Sequence, residues 1–355
     1  MKKILLFGEF SGLHTNLKEG LEELGHEVTI VSAGDGKKNI ARDIDISVKN
    51  DSIFSFINSF FDSRKKIKKL RDFDVVQFIN PYIKPKSTLL NYPLLFKNNK
   101  KFICLAAGDD VVFSDFIRAE GMSKYSPFDD ELVNGEKLPY EERYHRFFQN
   151  LILSKFNLII PSAYEYAEAY RQSKWKSKIS NTIPYPINTT KIEYEKIKID
   201  GKIVIYHASN RPISKGSTYI NEALNVIGQR YPNDVEVISA DFLPLEEYLD
   251  AIKRTHVLID QCRSYSYAMN ALYSLAQGKI VLSGCEDECI QEWGLDDSPV
   301  INIEPNVDDI VNKLEELILN KDKIEELSLE SRRYVEEKHN HIMIAKEFIK
   351  KWDGI

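Results

Sequence analysis

The sequence predicts an α/β chain built from two doubly wound parallel sheets. Three observations carry that expectation: a pair of similar strand–loop–helix–strand units, a sustained alternation of apolar strand runs with helical segments, and a proline-rich break near the middle. In the first unit Lys3–Phe7 reads as a strand and Gly8-Glu9-Phe10-Ser11-Gly12 as a loop. Leu17, Leu21 and Leu24 then mark one helix face until Gly25 stops it, and Glu27–Val31 is the next strand. The second unit repeats the order from Lys202–Tyr206, through a loop starting at His207, into a helix marked by Ile220, Leu224 and Ile227, and on to Val235–Ser239. Further strands are expected at Val75–Ile79, Phe102–Ala106, Leu158–Ile160, Val257–Asp260 and Lys279–Ser283. Ile183-Pro184-Tyr185-Pro186-Ile187-Asn188 holds two prolines that cannot continue a helix and separates the two series. The expected organisation is therefore a Rossmann-like domain over 1–185, a second over 186–335, and a closing helix over 336–355 that packs back on the first. A helical stretch from Val307 to Trp352 should break near His339–His341. Two such domains would face a central cleft at the carboxyl ends of their sheets, where ligands bind in such folds.

Composition sets outer limits. A chain of 355 residues suits two domains of ordinary size, and a hydrophobic content of 43% with 11% aromatics excludes general disorder. The net charge of −6 argues against nucleic acid as a partner, because counterion release needs a strongly basic face. In MKKILLFGEF only Ile4–Phe7 is continuously apolar, too short for a signal peptide and better read as a buried strand. No run approaches the roughly 20 apolar residues that span a bilayer. A cytoplasmic protein is expected, and the four cysteines, Cys104, Cys262, Cys285 and Cys289, agree with a reducing compartment. Cys285 and Cys289 are four apart, but no second pair or histidine cluster completes a metal set. Asp43-Ile44-Asp45 alternates like a short exposed strand, so no metal is assigned there either.

The loop His207-Ala208-Ser209-Asn210-Arg211-Pro212-Ile213-Ser214-Lys215-Gly216 opens the helix of the second unit. A helix N-terminus offers unpaired N–H groups and a partial positive charge, and Arg211 and Lys215 would add two full charges beside it. A diphosphate is the natural occupant; the alternative is an exposed loop with two solvated cations. His207 ends a strand and is a candidate for contact with a sugar or phosphate. Gly108-Asp109-Asp110 follows the strand Phe102–Ala106, where a carboxylate can accept a proton or stabilise positive charge, or can simply cap the next helix. His14, just after the first glycine loop, is the tempting histidine by position. His145 lies in a predicted helix over Tyr140–Leu153 among Tyr144, Phe147, Phe148 and Leu151 and reads as a packed residue.

One segment stands apart in charge. Between Asp51 and Phe73, Ile53, Phe54, Phe56, Ile57, Phe60 and Phe61 precede Arg64, Lys65, Lys66, Lys68, Lys69 and Arg71, six cations against three carboxylates. Such a stretch suits an anionic membrane surface. It suits better a core helix with a solvated basic end, because the strand Val75–Ile79 that follows must be covered.

Taken together, Gly8–Gly12 after the first strand, Ile183–Asn188 at the linker, His207–Gly216, and the stretch Asp260–Gly284 resemble the GT-B glycosyltransferases. The likeness is to the retaining, group 1 or family-4-like enzymes, especially bacterial ones of surface-polysaccharide synthesis, and it spans nearly the whole chain. The resemblance implies a transferase that moves a sugar from a nucleotide-diphosphate-sugar donor to a glycan or lipid-linked acceptor, with retention, without a metal and with no cofactor beyond the donor itself. It implies that Arg211 and Lys215 hold the diphosphate and that Gly8, Glu9, Ser11 and Gly12 lie near the acceptor. It also implies that Ser266, Tyr267 and Asn270 meet the ribose and phosphates, and that Asp109, Asp110 or His14 serves the chemistry. Related enzymes usually carry two glutamates eight positions apart, the second binding ribose. Here Tyr265 and Tyr273 stand at those positions, and a phenol offers only an uncharged hydrogen bond in place of a bidentate carboxylate. Glu286 or Glu288 is the candidate replacement. That departure leaves two alternatives open, a noncatalytic nucleotide-binding protein of the same fold and a nucleotide-sugar epimerase.

Overall fold

The computed structural model describes residues 1–48, 52–81, 85–119, 121–209, 211–239 and 251–355. Asp51 and Asn210, which belong to stretches read above, lie outside the described residues. The chain divides into two compact units, Met1–Ala119 with Leu138–Asn188 and Asn340–Ile355, and Glu120–Lys137 with Thr189–His339. The stretch 120–137, which the sequence order assigned to the first domain, thus belongs to the second unit. The contacts described below show why.

The first unit holds β1 (Lys3–Phe7), β2 (Glu27–Ser32), β3 (Ile44–Asp45), β4 (Val75–Ile79), β5 (Phe102–Ala106) and β6 (Leu158–Pro161) in one parallel sheet of order β3-β2-β1-β4-β5-β6. In register, Leu5 lies opposite Thr29 on one side and Val76 on the other. β1, β4 and β5 are near-continuous apolar runs because helices cover both faces of the sheet, and nearly every residue in them is buried. Helix Leu13–Glu23 packs against the closing helix His341–Asp353. The approach is close: a Cβ on Gly20 would sit 2.3 Å from the His341 carbonyl oxygen. Asn340 starts the closing helix by accepting the N–H groups of Ile342 and Met343 at 3.0 and 3.2 Å.

Two amphipathic helices of this unit face the opposite way from the core-packing expectation. The predicted helix near His145 is Arg143–Lys155, and it turns His145, Gln149, Ile152 and Leu153 inward while Tyr144, Phe147 and Leu151 are exposed. Helix Ile53–Ile67 buries Ser63 and Ile67 and exposes Phe54, Phe56, Ile57 and Phe61.

The second unit has β7 (Ile203–His207), β8 (Val235–Ser239), β9 (Val257–Ile259), β10 (Ile280–Ser283) and β11 (Ile301–Asn302), again parallel, in the order β11-β10-β9-β7-β8. Alternate residues Ile203, Ile205, Val257, Ile259, Ile280 and Leu282 form one core with Ile220, Leu224 and Ile227 of helix Ser217–Arg230 and Ile310 and Leu314 of helix Val307–Leu319. The intervening residues Val204, Tyr206, Leu258 and Val281 are buried too. Helices Met269–Ala276 and Ile324–Lys338 pack on each other and on β10. The expected long terminal helix breaks twice, at Asn320 as well as at His339–Asn340. No helix among the described residues is long and apolar enough to cross a membrane.

Candidate functional site

Strand order reverses between β7 and β9, and at such a switch the loops after neighbouring strands part and leave room for a ligand at their carboxyl ends. The predicted phosphate loop and Asp260 both emerge there. Asp260 follows β9 directly and is buried; its Oδ1 accepts Lys215 Nζ at 2.6 Å and Asn270 Nδ2 at 2.7 Å. Its Oδ2 has no partner among the described residues. Burial alone would raise the Asp260 carboxyl, but the Lys215 ammonium and the Asn270 amide outweigh it and hold the group below the usual carboxylate range. Three elements are thereby tied to one carboxylate: the loop after β7, the end of β9, and the first turn of helix Met269–Ala276.

The loop itself is tighter than expected. Pro212–Lys215 forms a single helical turn that ends at Gly216, and the main helix starts only at Ser217. Gly216 has φ 74° and a Cβ there would lie 2.4 Å from Cys262 Sγ, so both conformation and space require glycine. Arg211 is exposed, whereas Lys215 is largely covered beside Asp260. His207 was a candidate for substrate contact, but it is buried with Nδ1 on the Ile259 carbonyl and Nε2 on Ser217 Oγ, both at 2.8 Å. A carbonyl only accepts, so Nδ1 carries the proton, and the ring braces β7, β9 and the helix start.

The other predicted donor contacts separate into two groups. Asn270 is exposed and Tyr273 half-buried on helix Met269–Ala276. Tyr267 is instead a core residue, bonded to Tyr334 and, at 3.1 Å, to His339 Nε2. Ser266 is buried, and its carbonyl accepts Gln261 Nε2 and Ser264 Oγ at 3.1 and 2.9 Å, which fixes the turn.

Glu286, the proposed substitute for the missing glutamate, is already engaged. Its carboxylate takes Lys124 Nζ at 2.5 Å, Asn302 Nδ2 at 3.0 Å and the Tyr125 hydroxyl. Burial raises this carboxyl and those three donors lower it further than burial lifts it. Tyr265, at the other glutamate position, has its hydroxyl on the Lys124 N–H at 2.8 Å and on Ser123 Oγ at 3.1 Å. Arg263 grips Asp130 through both terminal nitrogens at 2.8 and 2.7 Å and lies over the Tyr219 ring. These bonds dock 121–137 on the second unit. Glu288 pairs with Lys124 as well, at 3.2 Å. Asp260 and Arg263 lay inside a stretch the sequence singled out without marking them; Lys124, Tyr125 and Asp130 carried no signal at all.

In the first unit the corresponding reversal lies between β1 and β4. Gly8, Ser11 and Gly12 all have positive φ, which folds the loop tightly over the start of helix Leu13–Glu23. Ser11 N–H donates to Asp35 at 2.9 Å. Glu9, expected to face an acceptor, turns inward and caps the helix, accepting the N–H groups of His14 and Thr15 and the Thr15 hydroxyl. Burial lifts its carboxyl above the usual value against the pull of those bonds. His14 is also a correction. It is fully buried, with Nδ1 on the Gly8 carbonyl at 2.8 Å and Nε2 on Gln77 Nε2 at 3.3 Å. The Trp352 indole N–H donates to Gln77 Oε1 at 3.2 Å, so the amide must present its NH2 to the ring and His14 is neutral with its proton on Nδ1. Burial pushes its pKa down to about 4.

The two aspartates after β5 divide the readings between them. Asp110 is buried and caps helix Val111–Ala119, accepting Phe113 N–H at 2.9 Å and the Tyr170 hydroxyl at 2.5 Å, and burial raises its carboxyl to about 6. Asp109 is half-buried at the edge of the sheet, with its carbonyl held by Asn80 Nδ2 at 3.2 Å. Among the described residues no three His, Cys, Asp or Glu side chains gather as a metal set.

No family model matches this chain, and no curated protein does. Among solved structures it is similar to sucrose-phosphate synthase from Thermosynechococcus elongatus, at 13% identity and TM-score 0.65 over 99% of each chain. It is similar to HepE from Anabaena in complex with UDP and glucose, at 9% identity and TM-score 0.61 over 99% of this chain and 100% of that one. A UDP-GlcNAc 2-epimerase from Neisseria meningitidis bound to UDP-GlcNAc matches over 100% of both chains at 12% identity and TM-score 0.51. Identities this low speak to architecture, and with two parallel sheets of six and five strands flanked by helices the chain has the GT-B fold.

Proposed function

We propose that this protein transfers a sugar from a nucleoside diphosphate sugar to a glycan or lipid-linked saccharide, retaining the anomeric configuration and needing no divalent ion. The observation that carries the reading is the cluster around Asp260. Lys215 and Asn270 are fixed on one carboxylate beside Arg211 and the start of a 14-residue helix, at the strand-order reversal of the second sheet. In the reaction the bond from the anomeric carbon to the phosphate oxygen breaks and a bond to the acceptor oxygen forms on the same face. The acceptor proton passes to the departing phosphate. Arg211, Lys215 and the helix start stabilise the charge that grows on the diphosphate.

The neighbours that carry UDP, UDP-glucose or UDP-GlcNAc support a nucleotide-sugar ligand for this fold. A second reading, a nucleotide-binding protein without turnover, is favoured by one observation: Tyr265 and Glu286 are engaged by Ser123, Lys124 and Tyr125. The deciding experiment incubates the protein with a panel of nucleoside diphosphate sugars, with and without saccharide acceptors. Nucleoside diphosphate released only with acceptor, and lost in Arg211→Ala, supports transfer. Interconversion of the donor sugar alone replaces this reading with an epimerase, and binding without either leaves the noncatalytic one.

A further inference from the structure

Helices Ile53–Ile67 and Arg143–Lys155 present the same outward pattern. On the first, Phe54, Ile57 and Phe61 are followed on the same face by Lys65 and Lys68. On the second, Tyr144, Phe147 and Leu151 are followed by Lys155. The steps are three, then four, then four residues in both, which keeps each row on one face. The rows are truly outward: Phe54 is 80% exposed, Phe61 56%, Phe147 66% and Leu151 51%. The two helices are joined by adjacent residues of a third segment, since Ser87 Oγ bonds Ser59 Oγ at 2.7 Å and Lys86 Nζ bonds the Tyr144 hydroxyl at 2.8 Å. At about 200 Å² for a whole aromatic side chain, the apolar surface exposed by the two rows together is roughly 600 Å², the upper end of what the largest patch on a soluble monomer shows.

We propose that these two helices together form a docking face for an anionic lipid bilayer, with the aromatic and aliphatic side chains entering the headgroup boundary and the lysines meeting phosphates. Charge decides the occupant. Lys65, Lys68, Lys69 and Lys155 have no ion-pair partner among the described residues, and Asp62, the carboxylate within the first helix, is paired to Lys66. A second copy meeting it through the same two helices would bring the same lysines and only Asp62, already paired to Lys66, whereas a phosphate surface answers all of them. The long lysine stems also let their ammonium groups sit at the surface while the rings go deeper. The inference does not require sugar transfer; it names where a lipid-linked acceptor would be met.

The test is flotation of the full chain with vesicles of phosphatidylcholine alone and of phosphatidylcholine mixed with phosphatidylglycerol, without any donor. Binding is expected to the mixed vesicles and to fall with added salt. Lys65→Glu with Lys68→Glu should weaken it roughly thirtyfold or more, and Phe61→Ser or Phe147→Ser roughly tenfold each. All four side chains are exposed or at the surface, and circular dichroism verifies that the variants fold. Absence of binding at low salt, binding indifferent to Phe147→Ser, or a dimer dissociated by Phe61→Ser in a protein that ignores vesicles would each overturn the proposal. Because no turnover is measured, such a failure is distinct from failure of the transferase reading.

Discussion

Replacing Lys215 by methionine is expected to destabilise the second unit by about 3–5 kcal/mol, the usual cost of leaving one partner of a buried ion pair uncompensated. Methionine matches the stem of lysine in length and flexibility, so the loss is charge rather than volume. In the native protein Asp260 Oδ1 is shared by the Lys215 ammonium and the Asn270 amide, and Oδ2 has no partner among the described residues. Once the ammonium is gone, burial prevails and the carboxyl moves above its ordinary range instead of below it. The pH dependence should therefore change sign. Native Asp260, with a depressed folded-state pKa, contributes stability that is present above the unfolded value of about 3.9 and is lost as the pH falls through the folded one. In Lys215→Met the folded pKa is raised, so stability contributed by this group is present at low pH and lost as the pH climbs. Urea unfolding at about pH 2, about pH 5 and about pH 8 reads both, the native slope between the first two and the reversed slope of the variant between the last two. The double variant Lys215→Met with Asp260→Asn keeps a neutral acceptor for Asn270 and should regain most of the loss, while nucleotide affinity stays low in both variants because the ammonium is missing from both. A loss below about 1 kcal/mol, or a double variant no better than the single one, would refute the buried-pair argument. Recovered stability with intact nucleotide affinity would instead remove Lys215 from the donor site.

Three further perturbations test other parts of the reasoning. Asp110 has a folded-state pKa raised to about 6, so its share of stability, about 3 kcal/mol, is fully present below about pH 4 and lost as the pH rises through 6; Asp110→Asn should flatten that slope in urea midpoints taken across the range. Tyr125→Phe deletes one of the three donors on Glu286 and should cost about 1–2 kcal/mol, seen as faster limited proteolysis within 121–137. Gly20→Ala places a Cβ 2.3 Å from the His341 carbonyl oxygen, a backbone atom with little freedom to retreat; thermal melts should show a loss of about 1–3 kcal/mol.

How much was legible depended on whether the signal was local. The strands Lys3–Phe7, Val75–Ile79 and Phe102–Ala106 match their apolar runs residue for residue, because a parallel strand buried on both faces needs nothing beyond such a run. Position relative to a glycine loop, by contrast, misjudged His14. Its helix is covered on a second side by the closing helix from a distant part of the chain, so Leu13, His14 and Asn16 are all buried. The rule that an apolar stripe faces the core failed at Tyr144, Phe147 and Leu151, since periodicity defines a stripe without saying what it faces. The stop at Asn320 was missed for a related reason: the charged and apolar alternation runs on past it, and only the geometry of the turn ends the helix.

The missing glutamates take on a different meaning once the docked segment is considered. At position 265 the tyrosine hydroxyl meets the Lys124 N–H and Ser123, at 286 the glutamate is held by Lys124, Tyr125 and Asn302, and at 263 the arginine is held by Asp130. Of these, Glu286 is the one the sequence offered as the replacement at the ribose, and its carboxylate is satisfied here by Lys124, Tyr125 and Asn302 of the chain itself. At the loop after β7, Arg211 is exposed and Lys215 gives one of its three N–H donors to Asp260. Under the proposed function the binding energy for a donor therefore comes from the diphosphate far more than from the ribose, and discrimination rests on Asn270 and Tyr273, the two candidate contacts on helix Met269–Ala276 that the fold leaves at least partly exposed.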